Sequence, residues 1–256
     1  MSLYRTSTGA GPDVAVLHGW GLHGGLFADL ARGLEPGFRV HTIDLPGHGY
    51  SAWAKGCADL EGIARRVAEH LPQSCRLVGW SLGGTVAIRI ATLFPTRVPR
   101  LVLVATTPKF LKGRDWPDGV EEKTLAGFAA GLGRDWRTTI GDFLSLQVRG
   151  DEKQLETLRE LRQSAYAHGE PSTSALAAGL EILRTVDLRP ELARVAARTL
   201  VIGGACDRLT PPAAIAALAA AIRGARAEII PRAAHAPFLS HRELFLSLVS
   251  GFLSSP

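Results

Sequence analysis

Three residues far apart in the chain have the types that nucleophilic chemistry needs. Ser81 sits in Gly79-Trp80-Ser81-Leu82-Gly83, a G-x-S-x-G pattern followed by one more glycine, Gly84. An apolar run at 77–79 precedes it and a helical pattern at 82–94 follows, which predicts a sharp strand-to-helix turn. Such a turn holds a hydroxyl clear of a sheet, and the helix N-terminus favours developing negative charge. The alternative is a serine that merely caps the helix. A hydroxyl is a weak nucleophile until a base takes its proton, and an acid must orient that base. Of eight histidines, only His168, His235 and His241 follow Ser81. His235 lies in the small-residue loop Ala233-Ala234-His235-Ala236-Pro237, just after the last apolar run, and is the expected base. His241 is its rival, and His168 falls in a purely helical stretch. For the acid, Asp207 ends the loop Gly203-Gly204-Ala205-Cys206-Asp207. The other place for an acid, after the run 101–104, reads Ala105-Thr106-Thr107-Pro108 and holds no carboxylate.

Attack by a serine on an acyl carbon creates an oxyanion that needs donors. One is expected from the backbone N–H of Leu82. The other is expected from Trp20, in the loop His18-Gly19-Trp20-Gly21. Losing one such donor typically costs about 10²–10³ in rate. His18 is read as a structural residue beneath this loop, and Asp44 as a brace for the loop 45–49. Asp187 is read as a cap or bridge where the helical stretch returns. Other chemistries find little support. There is no H-E-x-x-H, no paired-cysteine motif and no phosphate-binding G-x-x-x-x-G-K-[ST]. Gly19-x-Gly21-x-x-Gly24 matches a dinucleotide pattern formally, but the acid that should follow is represented only by Asp44. Cys57, Cys75 and Cys206 are too few and too irregular for a disulfide framework or a zinc site.

The elements that must position these residues alternate. Short Val/Leu/Ile runs at 14–17, 40–43, 77–79, 101–104, 200–202 and 228–230 suit strands buried on both faces. Helical patterns at 60–71 and 82–94 lie between them. Strand–helix alternation predicts an α/β fold with a mainly parallel central sheet flanked by helices. Between 110 and 184 the rhythm breaks into helical patterns alone, at 120–132, 136–148, 152–167 and 174–183. The expected layout is a core of 1–109 and 185–256 with an all-helical lid, 110–184, inserted in the second half. The lid's Phe128, Leu132, Trp136, Phe143 and Leu146 would pack it onto the core, and Phe143 and Leu146, with Trp80, could line an acyl channel. A net charge of +5 from scattered basic residues, without aromatic interleaving, argues against nucleic acid. No apolar run reaches the roughly 18 residues of a membrane span, and no leader pattern opens the chain. A monomeric cytoplasmic protein is expected.

Nearly end to end, the chain resembles the pimeloyl-[acyl-carrier protein] methyl ester carboxylesterases of biotin synthesis, in the α/β-hydrolase superfamily. The likeness is carried by Leu17-His18-Gly19-Trp20-Gly21-Leu22, Asp44-Leu45-Pro46-Gly47, Gly79 to Gly84, Gly179 to Leu183, Thr185 to Arg189, Ala233 to Phe238 and Ser240-His241. The lid stretches Leu125-Ala126-Gly127-Phe128 and Phe143-Leu144-Ser145-Leu146-Gln147 carry it further. The resemblance implies an α/β-hydrolase fold and a triad of Ser81, Asp207 and His235. It implies substrate contacts from Trp20, Leu82, Phe143, Leu144, Ser145, Leu146 and Gln147, an acyl-carrier protein as partner, and no metal or organic cofactor. It also implies carrier docking through lid arginines. Arg159 keeps one such position, while Thr138, Asp142 and Leu155 stand at others. Residues 110–170 hold nine Lys or Arg against eleven Asp or Glu. A basic face could still form from Arg134, Arg137, Arg149, Lys153, Arg159 and Arg162, which have helical spacing. Competing readings are a general carboxylesterase or carbon–carbon bond hydrolase on the same triad, and a binding protein that keeps the fold without activity.

Overall fold

The computed structural model describes residues 2–255. Seven strands form one sheet: β1 (Arg5–Thr8), β2 (Asp13–Leu17), β3 (Arg39–Ile43), β4 (Arg76–Trp80), β5 (Arg100–Val104), β6 (Arg198–Gly204) and β7 (Arg226–Ile230). Their order is β1-β3-β2-β4-β5-β6-β7. Only β1 runs antiparallel, against β3. The central strands are buried along almost their whole length, because helices cover both faces.

Those helices are α1 (Ala28–Leu34), α2 (Leu60–Ala68), α3 (Leu82–Leu93), α8 (Pro212–Ala221), the short α9 (Pro237–Ser240) and α10 (Arg242–Ser254). Helix α2 shows why they form. Asp59 caps it by accepting from Gly62 N–H at 2.7 Å, and Leu60, Ile63, Ala64 and Val67 recur at helical spacing on its buried face. That face meets α3, while α1 packs against α10. Between β5 and β6 the chain makes no strand of the sheet and four helices, α4 (Glu122–Leu132), α5 (Trp136–Gln147), α6 (Gln154–Ser164) and α7 (Thr173–Thr185). This insert lies over the carboxyl ends of the central strands. Trp20, just after β2, donates from Nε1 to Leu176 O of α7 at 2.9 Å, and Ser172 N–H bonds Gly47 O at 2.7 Å. At the neck of the insert, Asp187 pairs with Arg189 and bridges back to Lys109.

The six expected strands are all present, and β1 is the strand the apolar pattern did not reveal. Arg-Thr-Ser-Thr has no apolar face because β1 is an exposed edge, held by backbone pairing and by side-chain bonds such as Thr6–Thr42 and Ser7–His41. Helix α2 ends at Ala68 rather than at 71, in a tight turn closed by His70 N–H on Val67 O.

Helix α3 packs closely against the sheet. A Cβ on Gly79 would lie 2.6 Å from the Gly83 carbonyl oxygen and from Gly84 Cα. Gly79→Ala should therefore lower stability by about 1–3 kcal/mol through overpacking. Gly141→Ala, on α5 where an added Cβ meets nothing, should raise it by roughly 0.5–1 kcal/mol. Urea unfolding of the two variants checks the opposite signs.

Candidate active site

Ser81 occupies the turn between β4 and α3 with φ 53° and ψ −121°, a backbone conformation that costs on the order of 1–3 kcal/mol for a residue with a side chain. Hydrogen bonds hold it there. Ser81 N–H donates to Val104 O at 2.9 Å, and Ser81 O accepts from Gly84 N–H, Thr85 N–H and the Thr106 hydroxyl. The Ser81 side chain caps nothing, so the helix-cap alternative fails. Gly83 and Gly84 let the first turn of α3 press against the sheet. A Cβ at either would strike Leu17 O or the Thr106 side chain.

Asp207 follows β6 and His235 follows β7, so adjacent strands deliver them side by side. His235 Nδ1 lies 2.7 Å from Asp207 Oδ2, and both side chains are fully shielded from water. Asp207 accepts three further bonds, from Leu209 N–H at 2.8 Å, Thr210 N–H at 3.0 Å and the Thr210 hydroxyl at 2.5 Å. These donors fix the orientation of the carboxylate. With Asp207 as acceptor, Nδ1 carries the proton and Nε2 presents its lone pair. That Nε2 is buried and has no hydrogen-bond partner among the described residues. The Ser81–His235 bond is thus not closed here; such sites commonly close it only when substrate is bound. Trp80, beside the serine, donates from Nε1 to His235 O at 2.8 Å and ties the two loops together. His241 sits elsewhere, 2.9 Å from Glu152 at the start of α10.

The two expected oxyanion donors flank this space. Neither Trp20 N–H nor Leu82 N–H meets a backbone carbonyl among the described residues, and both residues are buried. From α5, Phe143, Leu144 and Gln147 are buried, and Ser145 and Leu146 are half-buried. The Phe143 ring stands edge-on to Trp20, with centroids 5.0 Å apart, and to Phe128 at 5.3 Å. Both polar atoms of the Gln147 amide are buried without a partner. Trp80 is fully buried, its ring edge-on to Phe238 with centroids 5.0 Å apart. Leu132 and Trp136 pack against the core, and Arg159 lies exposed on α6.

His18 lies beneath the loop as expected, with Nδ1 donating to Gly19 O and Nε2 accepting from Leu45 N–H, both at 2.8 Å. Asp44 does brace its loop, accepting from Gly24 N–H and Tyr50 N–H. It also meets His168 of the insert at 3.0 Å, a pairing across 124 residues that no local pattern signals. His23, Asp44 and His168 form the one group of three metal-ligating side chains among the described residues. Gly25 N–H and Ser164 O already engage both nitrogens of His23, and backbone donors engage both Asp44 oxygens, so the group is a polar seam between insert and core.

A family model for the alpha/beta hydrolase fold matches residues 13–242. Over 96% of its length the chain is 44% identical to a pimeloyl-[acyl-carrier protein] methyl ester esterase of Nitrosomonas europaea, covering 97% of that protein. A protein of the same name from Nitrosospira multiformis is 40% identical, with 98% of each chain covered. The chain belongs to the α/β hydrolase fold family. Among solved structures, a bromoperoxidase from Bacillus anthracis superposes on this hydrolase with a TM-score of 0.90 at 23% identity, over 99% of this chain and 95% of that one. At that identity the likeness speaks for the fold alone.

Burial sets the acid sensitivity of the hydrolase. His48, which donates from Nδ1 to Pro46 O at 3.1 Å, is pushed down to about 4, chiefly by desolvation. His18 is lowered too, by desolvation first and by neighbouring His48 second. The unfolded chain takes up these protons near 6.5 while the folded chain does not. Between pH 6.5 and about 4 the unfolded state therefore binds more protons, and stability falls as pH drops. The expected slope is about 1.4 kcal/mol per pH unit for each group. Urea unfolding across this window should show His48→Gln with a shallower slope than the parent protein; equal slopes would contradict it.

Proposed function

We propose that this hydrolase cleaves the methyl ester of pimeloyl-[acyl-carrier protein] methyl ester, releasing methanol and leaving a free carboxylate at the end of the carrier-bound chain. The observation that carries the reading is the buried Asp207–His235 pair, with Nε2 left free, beside a serine held in a strained strand–helix turn. Its substrate class follows from near full-length likeness to esterases of that name.

In this reading Ser81 Oγ attacks the ester carbonyl as His235 Nε2 takes its proton, and Asp207 stabilises the imidazolium that forms. Trp20 N–H and Leu82 N–H receive the oxyanion. Collapse of the intermediate breaks the bond to methoxide, which leaves as methanol with the proton from His235. Water, deprotonated by the same imidazole, then hydrolyses the acyl-enzyme and restores Ser81. Residues 110–184 act as the lid over a core of 1–109 and 185–256. Phe143, Leu144, Ser145, Leu146 and Gln147 line the path of the acyl chain, with the unpaired Gln147 amide as its polar contact. With Ser81, Trp20 and Leu82 all buried, the lid must shift to admit substrate. Arg159, exposed on α6, contacts the acidic carrier from outside, and Arg162 beside it bonds the Ser145 hydroxyl at 3.2 Å. The compartment is the cytoplasm and the active form a monomer.

Ser81→Ala should reduce turnover of a short-chain aryl ester by at least about 10⁴-fold. The parent gene should restore growth without biotin to bacteria that lack their own esterase of this kind. Hydrolysis of model esters without that rescue would leave a general carboxylesterase. Arg159→Glu should slow a carrier-linked methyl ester several-fold and leave the free dimethyl ester unaffected; equal slowing of both would remove Arg159 from the docking surface.

A further inference from the structure

The loop that carries His235 is held largely from outside itself; its one charged side chain, Arg232, pairs with Glu152 of the insert at 3.1 Å. It runs from Arg232, at φ 60°, through Ala233 and Ala234 to Ala236, all three alanines buried. Its carbonyls are held by the core: Ala233 O accepts from Cys206 N–H at 2.8 Å and His235 O from Trp80 Nε1 at 2.8 Å. Two of its N–H groups are held by the insert, while Ala233 N–H bonds back to Ile230 O. His235 N–H donates to Gln147 O at 3.0 Å, and Ala234 N–H donates to Asp151 Oδ2 at 2.8 Å. One residue further on, Glu152 N–H returns a bond to Arg232 O at 3.0 Å. The side chain in this set is Asp151, buried in the turn between α5 and α6. Its second oxygen accepts from Lys153 N–H at 2.8 Å, so a single carboxylate joins the turn of the insert to the residue preceding the base.

We propose that Asp151 is a positioning residue for His235: its carboxylate clamps the loop from the insert side, so the imidazole stays aligned with Ser81. The inference rests on the assignment of Ser81, His235 and Asp207 given above. Bonds from backbone N–H to a buried carboxylate are among the stronger ones available. Loop displacement of about 1 Å is enough to cost roughly 10²-fold in rate. Asp151 touches neither substrate nor reacting atoms; it acts only through the backbone of Ala234.

The decisive variant is Asp151→Ser, whose short hydroxyl can still accept from Lys153 N–H but cannot span to Ala234. On a short-chain aryl ester kcat should fall roughly 10- to 100-fold with KM nearly unchanged. The downfield Nδ1–H proton resonance of the His235–Asp207 pair should shift or broaden, which a purely structural role would not cause. A folded Asp151→Ser protein with parental kcat overturns the inference, as does a lowered kcat with that resonance unmoved. Loss of cooperative unfolding in the variant also overturns it, because Asp151 would then be a determinant of the fold. His235→Ala is measured alongside. If that variant keeps its activity, the triad assignment itself is wrong, whatever Asp151 does.

Discussion

A carboxylate and an imidazole joined at 2.7 Å, both wholly out of water, constrain everything around them. Burying an ionised group without partners costs several kcal/mol, so the fold must surround Asp207 with donors or lose it. Two backbone N–H groups and the Thr210 hydroxyl meet that demand, all from the turn that follows β6. The same turn thus solves the charge problem and sets the direction of the bond to His235. Low polarity around the pair strengthens the bond. Adjacent parallel strands with aligned ends are what bring the two loops together, since β6 and β7 run in register from Leu200 with Arg226 to Gly204 with Ile230.

The turn at Ser81 presents the opposite problem. Nothing charged is buried at Ser81, but its backbone is strained, and that strain needs an over-determined surround. Bonds to Val104, Gly84, Thr85 and Thr106 supply it, and three glycines remove the side chains that would prevent such close approach. Strain at one corner and charge at the other are both offset by bonds from the sheet's carboxyl edge.

How much of this was legible in the sequence follows from the same physics. Strands buried on both faces leave continuous apolar runs, so β2 to β6 could be read; β7, a largely exposed edge strand, was read from the apolar Ile229-Ile230 at its end. Edge strand β1 could not, because its side chains meet no core. The nucleophile turn was legible because its constraints are local, with glycines two residues either side of Ser81. Asp207 and His235 were found through position after a strand, not through any property of their neighbours. The contacts that sequence reasoning missed are non-local: Asp44 with His168, and Ala234 with Asp151, 83 residues away. Asp151 in isolation looks like one more acid in a charged turn.

Set side by side, these contacts divide the site between two parts of the chain. The core supplies the serine, the aspartate and the carbonyl-side hold on the histidine loop. The insert supplies the amide-side hold on that loop. It also anchors Trp20, whose indole bonds Leu176 O and sits where Gly179 leaves room, 2.5 Å from where a Cβ would be. Both His235 and Trp20 therefore depend on α5–α7 and the turn between α5 and α6 for their placement. A change in the insert would shift both residues.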